Sequence, residues 1–443
     1  MASRSSFTNR MGFVLATAGA AVGLGNIWRF PYLASEYGGG IFLLTYLILV
    51  FTAGFVLVLT ESALGRMTGS GVLCAYEKIS KKLSFAGYLT FFTPLLIFSF
   101  YSVVGGWVMY YALQFIIGNG SLLADSAYFS AFTAEPVTPA VFTLVFIAIT
   151  AWIVLRGVRK GIEKTTRLLM PVLLVMLVVL SIYCICMPGG LDGLWYFLYP
   201  DFSQFSAELV LAALGQMFFT LMIGSGVIMT YGSYLSRKEN LVKSAHAIDF
   251  FDTAVAILAG LLVIPAVFAL SGGSPEALGS GPALMFIALP HVFETFPLGG
   301  LIGAAFFLMV FFAAITSSVS MYEVAVASLT EKFSISRKKA VLGITAGVSF
   351  AAVIVSLGFG VLDFVQLNGM NILDMLDFLG NSILLPVCSL FACFAAGWIL
   401  KPKAVVDEIC SCGVKFRGQQ VFSFALRYLV PAAILIILIT GIF

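Results

Sequence analysis

Charge is scarce in this chain. Its 443 residues carry 24 Lys and Arg and 21 Asp and Glu, 10% in all, where a soluble domain has about 25%. That is too little polar surface to cover a globule of this length, so a water-soluble protein is excluded. The two His and seven scattered Cys supply neither a metal-ligand cluster nor a disulfide framework. The pairs Cys184, Cys186 and Cys410, Cys412 are spaced CxC, too close for zinc. His291 and Glu294 in HVFE have no metal triad and no acid-base partner, so the chain reads as a non-enzyme. Nothing points to a nucleic-acid ligand or an obligate protein partner. Apolar residues are abundant instead: 60% of the chain, with 42 Phe and a mean hydropathy of +1.05. The solvent is a lipid bilayer.

Apolar runs of spanning length fall at 11–36, 40–66, 86–117, 138–156, 165–187, 206–235, 246–270, 298–330, 340–360, 371–400 and 420–443, eleven in number. Residues 281–296, GPALMFIALPHVFETF, are short and Pro-broken and read as a re-entrant or surface hairpin. The first run has no small-residue cleavage pattern, so no removable leader is expected. Of the 24 basic residues, 23 lie before span 1 or after spans 2, 4, 6, 8 and 10. Cytoplasmic loops carry such an excess, so the amino terminus is cytoplasmic, the carboxyl terminus is outside, and the chain is a multi-pass protein of the cytoplasmic membrane. Arg29 is the exception.

Span 1 holds Gly12, Gly19, Gly23 and Gly25 with Asn26 and Arg29 deep inside it, and span 6 holds Thr220 and then Gly224, Ser225 and Gly226. A single Gly in a membrane helix commonly serves close packing. Two Gly-interrupted segments, each first in a group of five spans, match the pattern of inverted-repeat transporters with unwound helices at the midplane. Unwinding frees backbone groups that lipid cannot satisfy, so each break lines a polar cavity. The half-helix after the span 1 break turns the amides of Leu24 and Gly25 to that cavity as an anion site. The half-helix before the span 6 break ends in carbonyls at Phe219 and Thr220, which suit a cation. A zwitterionic amino acid carries both charges.

The segments AVGLGNIWRFPY, GGG at 38–40, ESALGR at 61–66, GQMFFTL and ITSS at 315–318 resemble the neurotransmitter:sodium symporter family, specifically its eleven-span bacterial amino-acid transporters. The resemblance implies an all-α membrane fold of five plus five inverted-repeat helices (1–187 and 206–400) followed by helix 11 (420–443), working by alternating access. It also implies two Na⁺ sites. The first would use Ala21, Asn26, Thr220 and Asp252 with the substrate carboxylate; the second, Gly19, Val22, Ala313, Thr316 and Ser317. Many relatives have Asn where this chain has Asp252. Neighbouring Asp249 reads instead as a solvated residue at the start of span 7.

By the same resemblance the substrate would touch Ala21, Leu24, Gly25, Ile97, Tyr101, Phe219, Thr220, Met222, Ser225, Ser317 and Met321. Ser225 stands where small-substrate relatives have Phe, and Met adapts to varied shapes, so large apolar or aromatic L-amino acids are expected. Small neutral amino acids are the alternative. Arg29 with Asp377, one turn from Asp374, would gate the outside; Arg4 and Phe7 with Glu331 and Tyr234 would gate the cytoplasmic side. Glu61 would brace the unwound backbone of spans 1 and 6 as a structural acid. Chloride-dependent members use residues matching Tyr46, Gln216 and Thr220 plus a Ser at the position of Ala256. That Ser is absent, so chloride-independent transport is expected. An ion channel is disfavoured, since it needs a continuous polar pore.

Overall fold

The computed structural model describes residues 7–271 and 284–442. Among the described residues the chain is helical, with no strand beyond two isolated bridges, Gly39 with Pro200 and Leu367 with Met370. Nine helices there are long and apolar enough to cross a membrane, and the pair Arg10–Ala21 and Gly25–Glu36, bent by 56°, makes a tenth. The Ser84–Ile116 and Gly299–Lys332 helices pack most extensively on each other and form the centre of the bundle. Their outward positions, such as Phe85, Phe92 and Leu301, remain exposed, as an apolar solvent allows.

The segment read as span 6 is two helices, Ala207–Thr220 and Val227–Gly232, separated by turns. Fourteen residues rise about 21 Å, short of the roughly 30 Å hydrocarbon core, so neither piece crosses alone. Gly224 and Gly226 have φ of +81° and +76°, a region open to Gly and costly for other residues. Met222 also sits there, at φ +54°, which stores about 1–3 kcal/mol. The second piece is held by direct backbone contact with Phe55–Thr68. A Cβ on Gly65 would lie 1.9 Å from the Met229 carbonyl oxygen, and one on Gly232 would lie 2.6 Å from that of Ser62. Only two glycines permit this seam.

Two sequence expectations are corrected. The segment expected as a re-entrant or surface hairpin is, from residue 284 on, a short helix, Leu284–Ala288 running into Leu289–Thr295, and not one of the spans. It is buried at Leu284, Met285, Phe286, Leu289, Val292 and Phe293, which rules out the surface alternative; residues 281–283 lie outside the described residues. Pro290 does not end it: the helix continues through Pro290 to Thr295, with a π-helical turn before it. Phe286 stacks on Phe129 at 5.1 Å and meets Trp107 edge-on at 5.7 Å. The other correction concerns Asp249. Its helix starts at Leu241, before the expected boundary, so Asp249 lies two turns inside. It is fully buried, and neither carboxylate oxygen has a hydrogen-bond partner among the described residues.

Candidate functional site

The two breaks face each other at the centre of the bundle. Val22 leaves the helix in an extended conformation at ψ 98°, and the chain resumes at Gly25. The freed amides are occupied: Gly23 N–H donates to Asn26 Oδ1 at 3.2 Å, and Leu24 N–H donates to the Tyr101 hydroxyl at 3.2 Å. The Phe219 ring covers Gly25, where a Cβ would come 2.2 Å from it. On span 6 the expected free carbonyl at Phe219 is not free, since it accepts from Met222 N–H at 3.3 Å. Two side chains brace the breaks. Glu61 Oε1 accepts from Gly224 N–H at 2.8 Å, and Gln216 Nε2 donates to the Gly25 carbonyl at 3.0 Å. The acid therefore bonds span 6, while an amide bonds span 1. Each amide left bare in lipid would cost several kcal/mol.

Below the span 1 break lies a buried polar cluster. Asn26 Nδ2 donates to Asp252 Oδ1 at 2.8 Å and to its backbone carbonyl at 3.3 Å. The Tyr46 hydroxyl donates to Asp252 Oδ2 at 3.1 Å and lies 3.1 Å from the Thr220 hydroxyl. Asn26, Thr220 and Asp252 of the first expected ion site are thus brought together, with Ala21 at the end of the same helix. The second expected set also converges. The Ser317 hydroxyl lies 3.5 Å from the Gly19 carbonyl oxygen and 3.1 Å from that of Val22, while Thr316 donates to the Ala313 carbonyl at 3.0 Å. These donors are all oxygens, the set a hard cation takes. No group of three or more His, Cys, Asp or Glu able to hold a metal occurs among the described residues.

The expected substrate residues Ile97, Met222, Ser225, Ser317 and Met321 are all buried. Ser225 closes the span 6 break, its hydroxyl donating to the Met222 carbonyl and accepting from Val227 N–H at 3.3 Å. Above Phe219 opens a cavity of about 190 Å³ lined by Leu24, Arg29, Tyr101, Phe219, Asp374 and Asp377 among others. Arg29 and Asp377 share it without an ion pair. The guanidinium lies 5.1 Å from the Phe219 ring centroid, and Asp377 Oδ1 accepts from Asn381 at 2.7 Å.

At the opposite end Arg4 lies outside the described residues. Phe7 is buried edge-on against Tyr231 at 5.5 Å and Tyr234 at 6.1 Å. Glu331 accepts from Gly71 N–H at 2.7 Å. The Tyr234 hydroxyl donates to Glu323 Oε1 at 2.8 Å, an acid that sequence reasoning passed over. Glu323 is fully buried and paired with Arg337, whose guanidinium also donates to the Val154 carbonyl at 2.7 and 2.8 Å. Glu163 was passed over too: it accepts from the Thr8 amide at 2.9 Å and hydroxyl at 3.1 Å. The usable signal was an acid inside or beside an apolar span, which requires a partner.

Paired half-helix breaks inside an apolar bundle, with oxygen donors gathered beside them, define a membrane transporter class built around a central ion and solute site. Residues 4–120 and 135–443 match the Sodium:neurotransmitter symporter family, and the chain belongs to it. It is 35% identical over 97% of its length and 96% of the relative's to the uncharacterized sodium-dependent transporter YhdH of Bacillus subtilis. Human sodium- and chloride-dependent GABA transporter 2 is 27% identical, over 97% of this chain and 78% of its own. Among solved structures, MhsT in complex with L-phenylalanine matches with a TM-score of 0.89 and 38% identity, covering 99% of this chain and all of MhsT. The protein is a multi-pass, sodium-dependent membrane transporter.

Proposed function

We propose that this chain is a symporter of hydrophobic and aromatic L-amino acids, driven by two Na⁺ ions and working by alternating access through eleven spans in two inverted five-helix repeats. The observation that carries the reading is the convergence of Thr316 and Ser317 with the Gly19 and Val22 carbonyls on one side of the span 1 break, and of Asn26, Thr220 and Asp252 on the other. A substrate carboxylate at Leu24 and Gly25, bonded by Tyr101, would complete the first ion site. Neither ligand then binds well without the other, which is coupling by mutual affinity. Two charges moved through 100 mV are worth about 4.6 kcal/mol, a gradient of about 2,000-fold.

The aromatic preference is supported by Ser225, a small side chain between two glycines, and by the L-phenylalanine bound to MhsT. Chloride independence is supported by Asp252, whose carboxylate already accepts from the Tyr46 hydroxyl. The amino terminus is assigned to the cytoplasm by the basic residues, and the second repeat would extend from Ser206 through the broken span 6. Uptake of labelled amino acids into proteoliposomes under an imposed Na⁺ gradient tests the proposal. L-Trp, L-Phe and L-Leu should accumulate in gluconate as well as in chloride. A ranking with glycine, alanine or lysine first would remove the pocket reading, and a chloride requirement would remove the role given to Asp252.

A further inference from the structure

On the membrane-facing side of the bundle, a groove of about 560 Å³ runs between spans 3, 9 and 10. Phe92, Leu96 and Ser99 form one wall, and Gly343, Gly347 and Ala351 form the floor. The two glycines are exposed, and a Cβ on either would meet nothing within 4 Å. Residues four apart share a helix face, so Lys339, Gly343, Gly347 and Ala351 form one row along Arg337–Leu357. Lys339 therefore heads the groove at the Lys-rich end of the bundle. It is exposed, and no ion pair among the described residues involves it or Lys338. Tyr88, one helical turn before Phe92 at the same end, is also exposed, and Tyr favours the headgroup level.

Length matches charge. The twelve helical steps from Lys339 to Ala351 rise about 18 Å, close to the roughly 15 Å depth of one leaflet. We propose that this groove is a binding site for one anionic phospholipid of the Lys-rich face, with an acyl chain along Gly343, Gly347 and Ala351 and the phosphate at Lys339. The carbon walls receive the chain, and the lysine ammonium selects a negative headgroup over a neutral one. The site lies behind the transport pathway: Leu376 and Leu384 on its far wall bracket Asp377 and Gly380, and Gly380 packs on Ile97.

The test uses the full-length transporter in phosphatidylcholine vesicles containing phosphatidylglycerol with a photoactivatable group on its acyl chain. Labelled peptides should map to 84–116 and 337–357. Gly347→Leu, which fills open space and favours the helix, should abolish the labelling. Lys339→Gln should lower it about fivefold, the effect of one basic residue near an anionic surface. Equal labelling by a phosphatidylcholine analogue, or labelling indifferent to both substitutions, overturns the proposal. So does crosslinking of two protein copies through Cys placed at 347, which would make a second copy the occupant. Labelling is read without transport, so its failure is distinct from any failure of the amino-acid reading.

Discussion

Arg29 and Asp377 share a cavity of about 190 Å³ at one end of the bundle and do not pair. At the other end Arg337 and Glu323 are locked together, with Phe7, Tyr231 and Tyr234 packed beside them. Each end has an arginine, an acid and aromatic rings. The difference is where the arginine is spent: Arg337 also holds the Val154 carbonyl across the bundle, whereas Arg29 lies over the Phe219 ring that covers the site. Arg337 thus ties spans 4, 8 and 9 together, whereas Arg29 lies in a cavity above a ring.

The largest way to break this contrast is Arg337→Met, which strands the buried Glu323 carboxylate. Losing one partner of a buried pair costs about 3–5 kcal/mol. Thermal unfolding in detergent should show the loss, and a Cys at position 8 should gain reactivity from the Lys-rich side. Unchanged reactivity would mean the pair does not hold that end together. Glu61→Ala acts between the two ends, baring the Gly224 amide for about 1–3 kcal/mol. Its unfolding temperature should fall, while Glu61→Gln, which keeps an acceptor oxygen, should fall less. Arg29→Gln removes a ring contact of about 0.5–2 kcal/mol, so it should speed release of bound amino acid without lowering the unfolding temperature as far as Arg337→Met. At the small end, Glu77→Gln removes the exposed partner of Lys332 and should leave both readouts unmoved, because solvent screens that pair.

The helix breaks are legible in the chain because their cause is local. Gly23 and Gly25 beside Asn26, and Gly224 and Gly226 beside Ser225, cannot sustain a helix in lipid without outside partners, and the breaks fall at those residues. The Glu61 bond to span 6 has the same character, since an acid in a span needs a donor. Arg337 is a different case. In sequence it is one of four bases after span 8, indistinguishable from a topology signal, and only the packing of span 9 against spans 4 and 8 turns it inward. Asp249 was misjudged because a helix start shifted by five residues moves a side chain by more than a turn. Arg29 and Asp377 share a cavity as expected but do not pair, because Asn381 bonds the Asp377 carboxylate and the guanidinium lies over the Phe219 ring, contacts that no residue spacing encodes.

The Gly65 and Gly232 seam has a mechanical consequence. Two helices packed with no room for a side chain between Gly65 and Met229 or between Gly232 and Ser62 are expected to move together, Val227–Gly232 with Phe55–Thr68. The turn at 221–226 would then act as a hinge with one leaf fixed to span 2. Any rocking of Ala207–Thr220 is measured against that fixed leaf, and the linkage has one freedom fewer than two loose half-helices would have.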